Sequence, residues 1–153
     1  MKIIDCFMYF NEDLILDIRL HELYDKVDKF IIVESCYTHS GSKKNFNFKI
    51  ENYKKFSDKI EYIQIDHNPQ KLLKISEKDT EEIKMFKEIE NALTIENYQR
   101  NFISRGLIDL NDEDIIMISD LDEIPNLDRV DFKLYKNKIF LFKQYFFHYK
   151  FDL

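Results

Sequence analysis

The chain has 153 residues, a length that suggests one domain with enough residues for a substantial core. Charged residues make up 34% and apolar ones 44%, with 14 Phe and 9 Tyr but only 2 Gly and 2 Pro, which excludes a disordered chain and leaves few places for long irregular loops. The formal charge of −6 argues against a nucleic-acid backbone as the main partner, because that binding rests on neutralising phosphates with Lys and Arg.

Residues 2–10, KIIDCFMYF, are rich in strand formers and predict a first strand. Asp5 interrupts this apolar run and Asn11, Glu12 and Asp13 come after it, so no signal peptide is expected. No run approaches the ~18 apolar residues of a membrane span, and the expectation is a soluble, cytoplasmic protein. Cys6 and Cys36 lie in apolar stretches without metal-ligand spacing and read as reduced core thiols. Asn11 can cap a helix in which Glu12 and Asp13 occupy the first turn and Leu16, Leu20 and Leu23 recur at helical spacing, ending near Tyr24.

Residues 28–34, DKFIIVE, predict a second, parallel strand that ends in Glu34 and Ser35. Next is a polar loop, 37–48, with Gly41 suited to a tight turn and Thr38, His39, Ser40, Lys43 and Lys44 offering hydrogen bonds and charge. For His39 and the two lysines, plain solvation and a role toward phosphate remain open alternatives. A short helix at 51–56 and a third strand at 59–66, KIEYIQID, come after the loop, and Asn68 and Pro69 mark a turn.

Ser76 and Asp79 have the spacing of a capping box ahead of Ile83, Phe86, Ile89 and Leu93. The helical pattern resumes through Phe102, Ile103 and Leu107, as one long helix or two broken near Thr94. After a helix or turn at 127–135, residues 137–149 are dense in Phe and Tyr with β-like character. Core or sheet packing is the first reading of that segment; the other is an apolar surface that a partner such as a second copy of the chain would cover.

The most informative stretch is 114–125, DIIMISDLDEIP, in which four apolar residues run straight into Asp120, Asp122 and Glu123. The run reads as a strand buried on both faces, and parallel strands deliver their functional residues at their carboxyl ends. Two aspartates one residue apart in extended chain turn both carboxylates to one side, where they can grip one hard cation such as Mg²⁺ or Mn²⁺ with a diphosphate completing the shell. Pro125 stops any immediate helix, so the acidic turn is expected to be a rigid loop. Alternating strands and helices imply an α/β fold with a mostly parallel sheet flanked by helices. Neither a dinucleotide fingerprint nor a P-loop occurs.

The runs DCFMYFNE, VDKFIIVES, THSGSKK and IIMISDLDEIP resemble, in order and spacing, the family-17 glycosyltransferases, whose members include N-acetylglucosaminyltransferases. The resemblance reaches from Asp5 to about Val130 and implies a GT-A-like (Rossmann-like) fold, a UDP-sugar donor, Mn²⁺ or Mg²⁺, a glycan or other hydroxyl acceptor, and inverting transfer. On that reading Asp120 and Asp122 hold the metal against the donor diphosphate, and Glu123 orients them, binds ribose or serves as the base. Phe7, Phe10, Asn11 and Glu12 border the nucleotide. Glu34, Thr38, His39 and Lys44 match polar positions of the family's second block, and Glu96 and Arg100 match its Glu-x-x-x-Arg, with Arg100 reaching the diphosphate. Family members continue well beyond the acidic motif, so much of the acceptor portion is implied to lie outside these 153 residues.

Two rivals stand beside this reading. A haloacid-dehalogenase-like phosphatase also has an apolar strand ending in Asp-x-Asp, the first Asp attacking phosphorus. In that class the motif opens the domain and is followed by Thr or Val, whereas here it comes at residue 120 and is followed by Glu123. A non-catalytic nucleotide-sugar-binding module would bind UDP and metal yet transfer nothing.

Overall fold

The computed structural model describes residues 1–134 and 138–144. Strands β1 (Ile3–Met8), β2 (Lys29–Ser35), β3 (Ile60–Ile65) and β4 (Ile115–Ile118) form one sheet in the order β3-β2-β1-β4, every pair parallel. The chain builds from β1 outward to β3 and then returns to the far side of β1. The strand order therefore reverses between β1 and β4, the place where open α/β sheets bind ligands beyond their carboxyl ends.

Period-two alternation divides the sheet into two apolar faces. Phe7, Tyr9, Phe30, Ile32 and Met117 share one face with helix α1 (Asp13–Leu23) and with Tyr53 and Phe56 of a short 3-10 helix, Ile50–Phe56. Ile4, Cys6, Ile31, Val33 and Ile65 face the other way, against Tyr98 of helix α2 (Glu81–Asn101) and against Phe102 and Ile103 of the 3-10 turn Phe102–Gly106. The expected α/β architecture is what the chain adopts.

Several local expectations are corrected. β4 is not buried on both faces: Met117 is buried, but Ile116 and Ile118 are 42% and 53% exposed. It is an edge strand paired only with β1 among the described residues, and the Phe102–Gly106 turn packs over β2 and β3 instead. Asn11 does not cap α1; Glu12 holds that position without a side-chain cap, its carboxylate turned back to accept the amides of Phe10 and Asn11 at 3.0 and 2.9 Å. Ser76 and Asp79 close a separate turn, and the N-cap of α2 is Thr80, whose hydroxyl accepts from the Ile83 amide.

α2 is one unbroken helix of 21 residues. At ~1.5 Å per residue it runs about 30 Å, well past strands that span about 20 Å. Only Ile95 and Gln99 are buried, while Ile83, Phe86, Ile89 and Leu93 stay exposed on the overrun. Lys87 with Asp79 (2.6 Å) and Asn91 with both backbone groups of Leu73 tie the preceding loop to this part of the helix. Gly41 takes φ +84°, as its turn requires, and Gly106 lies so close to Ile31 that an added Cβ would stand 2.9 Å from its side chain. Residues 138–144 contain no strand, and the rest of the predicted aromatic β-like segment, with the homodimer surface expected of it, lies outside the described residues.

Cys6 and Cys36 are free and buried. Burial, with Asp5 beside it, pushes the Cys6 thiol up from 9.0 to about 12. Tyr9, Tyr53 and Tyr62 are also raised, first by burial and then by donating to Asp13 or Glu34. Each acid is held protonated in the fold but ionises at its ordinary value once unfolded. The stability they contribute is thus complete below about pH 9 and is lost as pH rises from there toward the folded values. Unfolding midpoints are expected to be flat from pH 7 to 9 and to fall steadily above; a midpoint constant to pH 11 would contradict this account.

Candidate active site

The β1–β4 pairing extends one residue beyond the strand through the Ser119 amide to the Cys6 carbonyl, and the chain then folds back. The amides of Glu123 and Ile124 bond to the carbonyls of Asp120 and Asp122, each at 3.1 Å, so the Asp-x-Asp segment is a turn and not extended chain as expected. Its three acids remain at the surface while Leu121 and Leu127 anchor the loop in the core. The Glu123 carboxylate accepts the Asp120 amide at 3.1 Å, an orienting contact within the loop.

The turn is held from below by Arg19, a residue that no motif in the sequence singles out. Arg19 lies in the apolar stripe of α1 with Leu16, Leu20 and Leu23, and its side chain is wholly buried. Its Nε and Nη2 donate to the two oxygens of the equally buried Asp5, at 2.8 and 2.7 Å. Nη1 donates to the carbonyls of Asp120, Leu121 and Glu123 at 2.7, 3.0 and 3.3 Å, and Nη2 also donates to Ser119 Oγ at 2.7 Å. One guanidinium therefore ties β1, α1 and the acidic loop together, with the Phe7 ring 4.6 Å away beneath its charge. The available signals were an Asp inside an otherwise apolar strand and an Arg at helical spacing among leucines.

On the solvent side, Arg100 Nη2 donates to Glu96 Oε1 at 2.9 Å and to Asp120 Oδ1 at 3.0 Å. Glu96 and Arg100 thus form an ion pair one helical turn apart, and it reaches across to the acidic loop. Burial works against the Arg100 charge, but the bonds to the two carboxylates outweigh it and raise the guanidinium above its ordinary value. Asp122 is exposed on the same turn.

The other predicted residues separate into two groups. Phe10, Asn11 and Glu12 are exposed at the carboxyl end of β1, and His39 is exposed in the loop after β2. Phe7, expected to border a nucleotide, is instead wholly buried under α1, because strand alternation turns it inward. Glu34 is wholly buried too, and accepts from Lys44 Nζ (2.5 Å), the amides of Asn47 and Phe48 (2.8 and 3.1 Å) and the Tyr62 hydroxyl (2.7 Å). Lys44 is thereby engaged with Glu34, its Nζ 5.0 Å from the Phe10 ring centroid. Thr38 Oγ1 accepts the Ser42 amide and pairs with Ser40 Oγ, bracing the turn at Gly41. Glu34, Lys44 and Thr38 therefore shape the loop from within it.

Among the described residues no group of three or more His, Cys, Asp or Glu side chains converges to hold a metal. Asp120 and Asp122 are both exposed on this one turn, and carboxylate oxygens are the ligands a hard cation takes beside oxygens from a bound molecule and water. The placement of a guanidinium on Asp120 shows that the turn attracts positive charge.

These features define a Rossmann-like α/β protein, in an arrangement consistent with a GT-A-like fold, whose acidic loop stands at the switch point of a parallel sheet. A family model described as Glycosyltransferase family 17 matches residues 1–153, and the chain belongs to that family. It is similar to the human and rat proteins named beta-1,4-mannosyl-glycoprotein 4-beta-N-acetylglucosaminyltransferase, at 29% identity over 143 residues for each. The mouse protein of the same name is 28% identical. These alignments cover 88% of this chain and 24% of each relative, so the chain spans about a quarter of their length. No solved structure matches. Among the described residues no helix is long and apolar enough to cross a membrane.

Proposed function

We propose that the chain binds the donor in a metal-dependent inverting glycosyltransferase, which moves a sugar, N-acetylglucosamine by analogy with the named relatives, from UDP to a glycan or other hydroxyl acceptor. The observation that carries this reading is the place of Asp120 and Asp122: exposed on the turn after β4, at the switch point of the sheet, in a chain matched throughout by the family. Family membership favours transfer over the phosphomonoester hydrolysis of a dehalogenase-like enzyme.

In this reading Asp120 and Asp122 hold Mn²⁺ or Mg²⁺, which when bound neutralises charge developing on the departing diphosphate. Arg19 fixes the carbonyls of the turn and so sets the directions of the two aspartates. Arg100, tethered by Glu96, offers guanidinium donors to the diphosphate oxygens. Phe10, Asn11, Glu12 and His39 lie on the same carboxyl edge and border the nucleoside and sugar. Glu123 orients the turn through the Asp120 amide; on this chain it is also the carboxylate nearest to hand for the acceptor proton.

Calorimetric titration of UDP with and without Mn²⁺, on the wild type and on the double variant Asp120→Ala/Asp122→Ala, tests the reading. Binding is expected only when both the metal and the aspartates are present. Absence of UDP binding to the wild type in Mn²⁺ would overturn it.

A further inference from the structure

We propose that Arg100 is a built-in stand-in for the cation at Asp120, and that a nucleoside diphosphate draws it away, so that cation and diphosphate bind this turn cooperatively. The proposal rests on the donor-site reading above and adds to it a coupling between the two ligands.

Three observations carry it. First, Arg100 Nη2 stands 3.0 Å from Asp120 Oδ1, on one of the two carboxylates assigned to the cation. A divalent ion and a guanidinium cannot share that oxygen's approach without strong like-charge repulsion, so cation entry has to break or redirect this contact. Second, the contact is easily surrendered: the Arg100 and Asp120 side chains are 31% and 59% exposed, and ion pairs this open contribute little to stability. Third, the same nitrogen is held by Glu96 Oε1 at 2.9 Å, one helical turn earlier on α2. Once released from Asp120, the guanidinium stays tethered at the mouth of the crevice. Its planar fork then suits a diphosphate, which accepts two parallel N–H bonds.

The consequence is linkage. Diphosphate binding removes the competitor from Asp120 and so tightens the cation site; cation binding frees Arg100 and so tightens the diphosphate site by the same factor. An Arg100 that merely contacts diphosphate would leave Mn²⁺ affinity in the absence of nucleotide unchanged when it is replaced. An Arg100 with only a structural role would weaken both ligands on replacement.

Mn²⁺ binding, read from the electron paramagnetic resonance signal of the free ion with and without UDP, distinguishes these cases in the wild type, Arg100→Gln and Glu96→Gln. Arg100→Gln is expected to bind Mn²⁺ alone about fivefold tighter than wild type and UDP more weakly, with the Mn²⁺–UDP coupling reduced by a similar factor. Glu96→Gln leaves Arg100 to Asp120 alone and is expected to weaken Mn²⁺ binding, and circular dichroism confirms that both variants fold. If the wild type binds Mn²⁺ and UDP together but Arg100→Gln leaves Mn²⁺ affinity unchanged or lower, this proposal is overturned and the donor-site reading stands. If neither wild type nor Arg100→Gln binds Mn²⁺ with or without UDP, both are overturned.

Discussion

Replacing Arg19 with Met is expected to cost about 3–5 kcal/mol of folding stability, the range for breaking a buried ion pair by removing one partner. The side chains of Arg19 and Asp5 are both at 0% exposure, so the variant leaves the Asp5 carboxylate buried without its two donors. In a domain of this size the unfolding midpoint should fall by roughly 10 °C. The carbonyls of Asp120, Leu121 and Glu123 lose their shared donor at the same time. Arg19→Lys should fare little better, because a single ammonium cannot serve both oxygens of Asp5 and three carbonyls at once. The informative variant is Asp5→Leu combined with Arg19→Met. Exchanging a whole buried pair for apolar side chains is often neutral, so most of the stability should return, whereas Mn²⁺-dependent UDP binding should stay weakened because nothing restores the turn's donor. Recovery of both properties would show that the turn holds its shape unaided.

This bridge also marks the limit of what the sequence makes legible. Runs such as DKFIIVE and KIEYIQID declare strands because apolar side chains at that spacing have few other ways to be buried, and all four predicted strands are present within two residues at each end. The acidic turn is legible for the same reason: the apolar run at 115–118 has to end, and the carboxylates directly after it stand at the sheet's carboxyl edge. Two kinds of information are not local. That β4 is an edge strand depends on the order β3-β2-β1-β4, which periodicity does not encode, so an apolar run alone wrongly implies burial on both faces. That Asp5 and Arg19 meet depends on α1 laying its apolar stripe across β1, 14 residues away in sequence. Read singly, each looks like a defect in an apolar pattern; only the pair explains why both are tolerated. Capping fails in a third way, since Thr80 and Glu12 stand within four residues of the better-known signatures at Ser76 and Asn11, and main-chain geometry chooses between them.

Glu34→Gln, the second large effect, is expected to cost about 2–3 kcal/mol through buried donors left facing a donor. Each Glu34 oxygen accepts two bonds: Oε1 from Lys44 Nζ and the Asn47 amide, Oε2 from the Phe48 amide and the Tyr62 hydroxyl. A glutamine keeps only one acceptor. Whichever oxygen its amide nitrogen replaces, that nitrogen confronts either Lys44 with Asn47 or the Phe48 amide, and only the Tyr62 hydroxyl can rotate to accept. The loop 37–48 loses its main tie to β2, and with it the support that Asn47 Nδ2 gives the Phe10 carbonyl at 2.7 Å. Urea unfolding measures the loss. Glu34 is at 0% exposure with two bonds accepted at each oxygen, so its part is to position the loop and not to touch a ligand. UDP titration of the variant at a temperature where it remains folded should therefore find binding weakened, through the loosened support of Phe10 and His39, but not abolished. A variant as stable as the wild type that no longer bound UDP would instead return Glu34 to direct contact with the nucleotide.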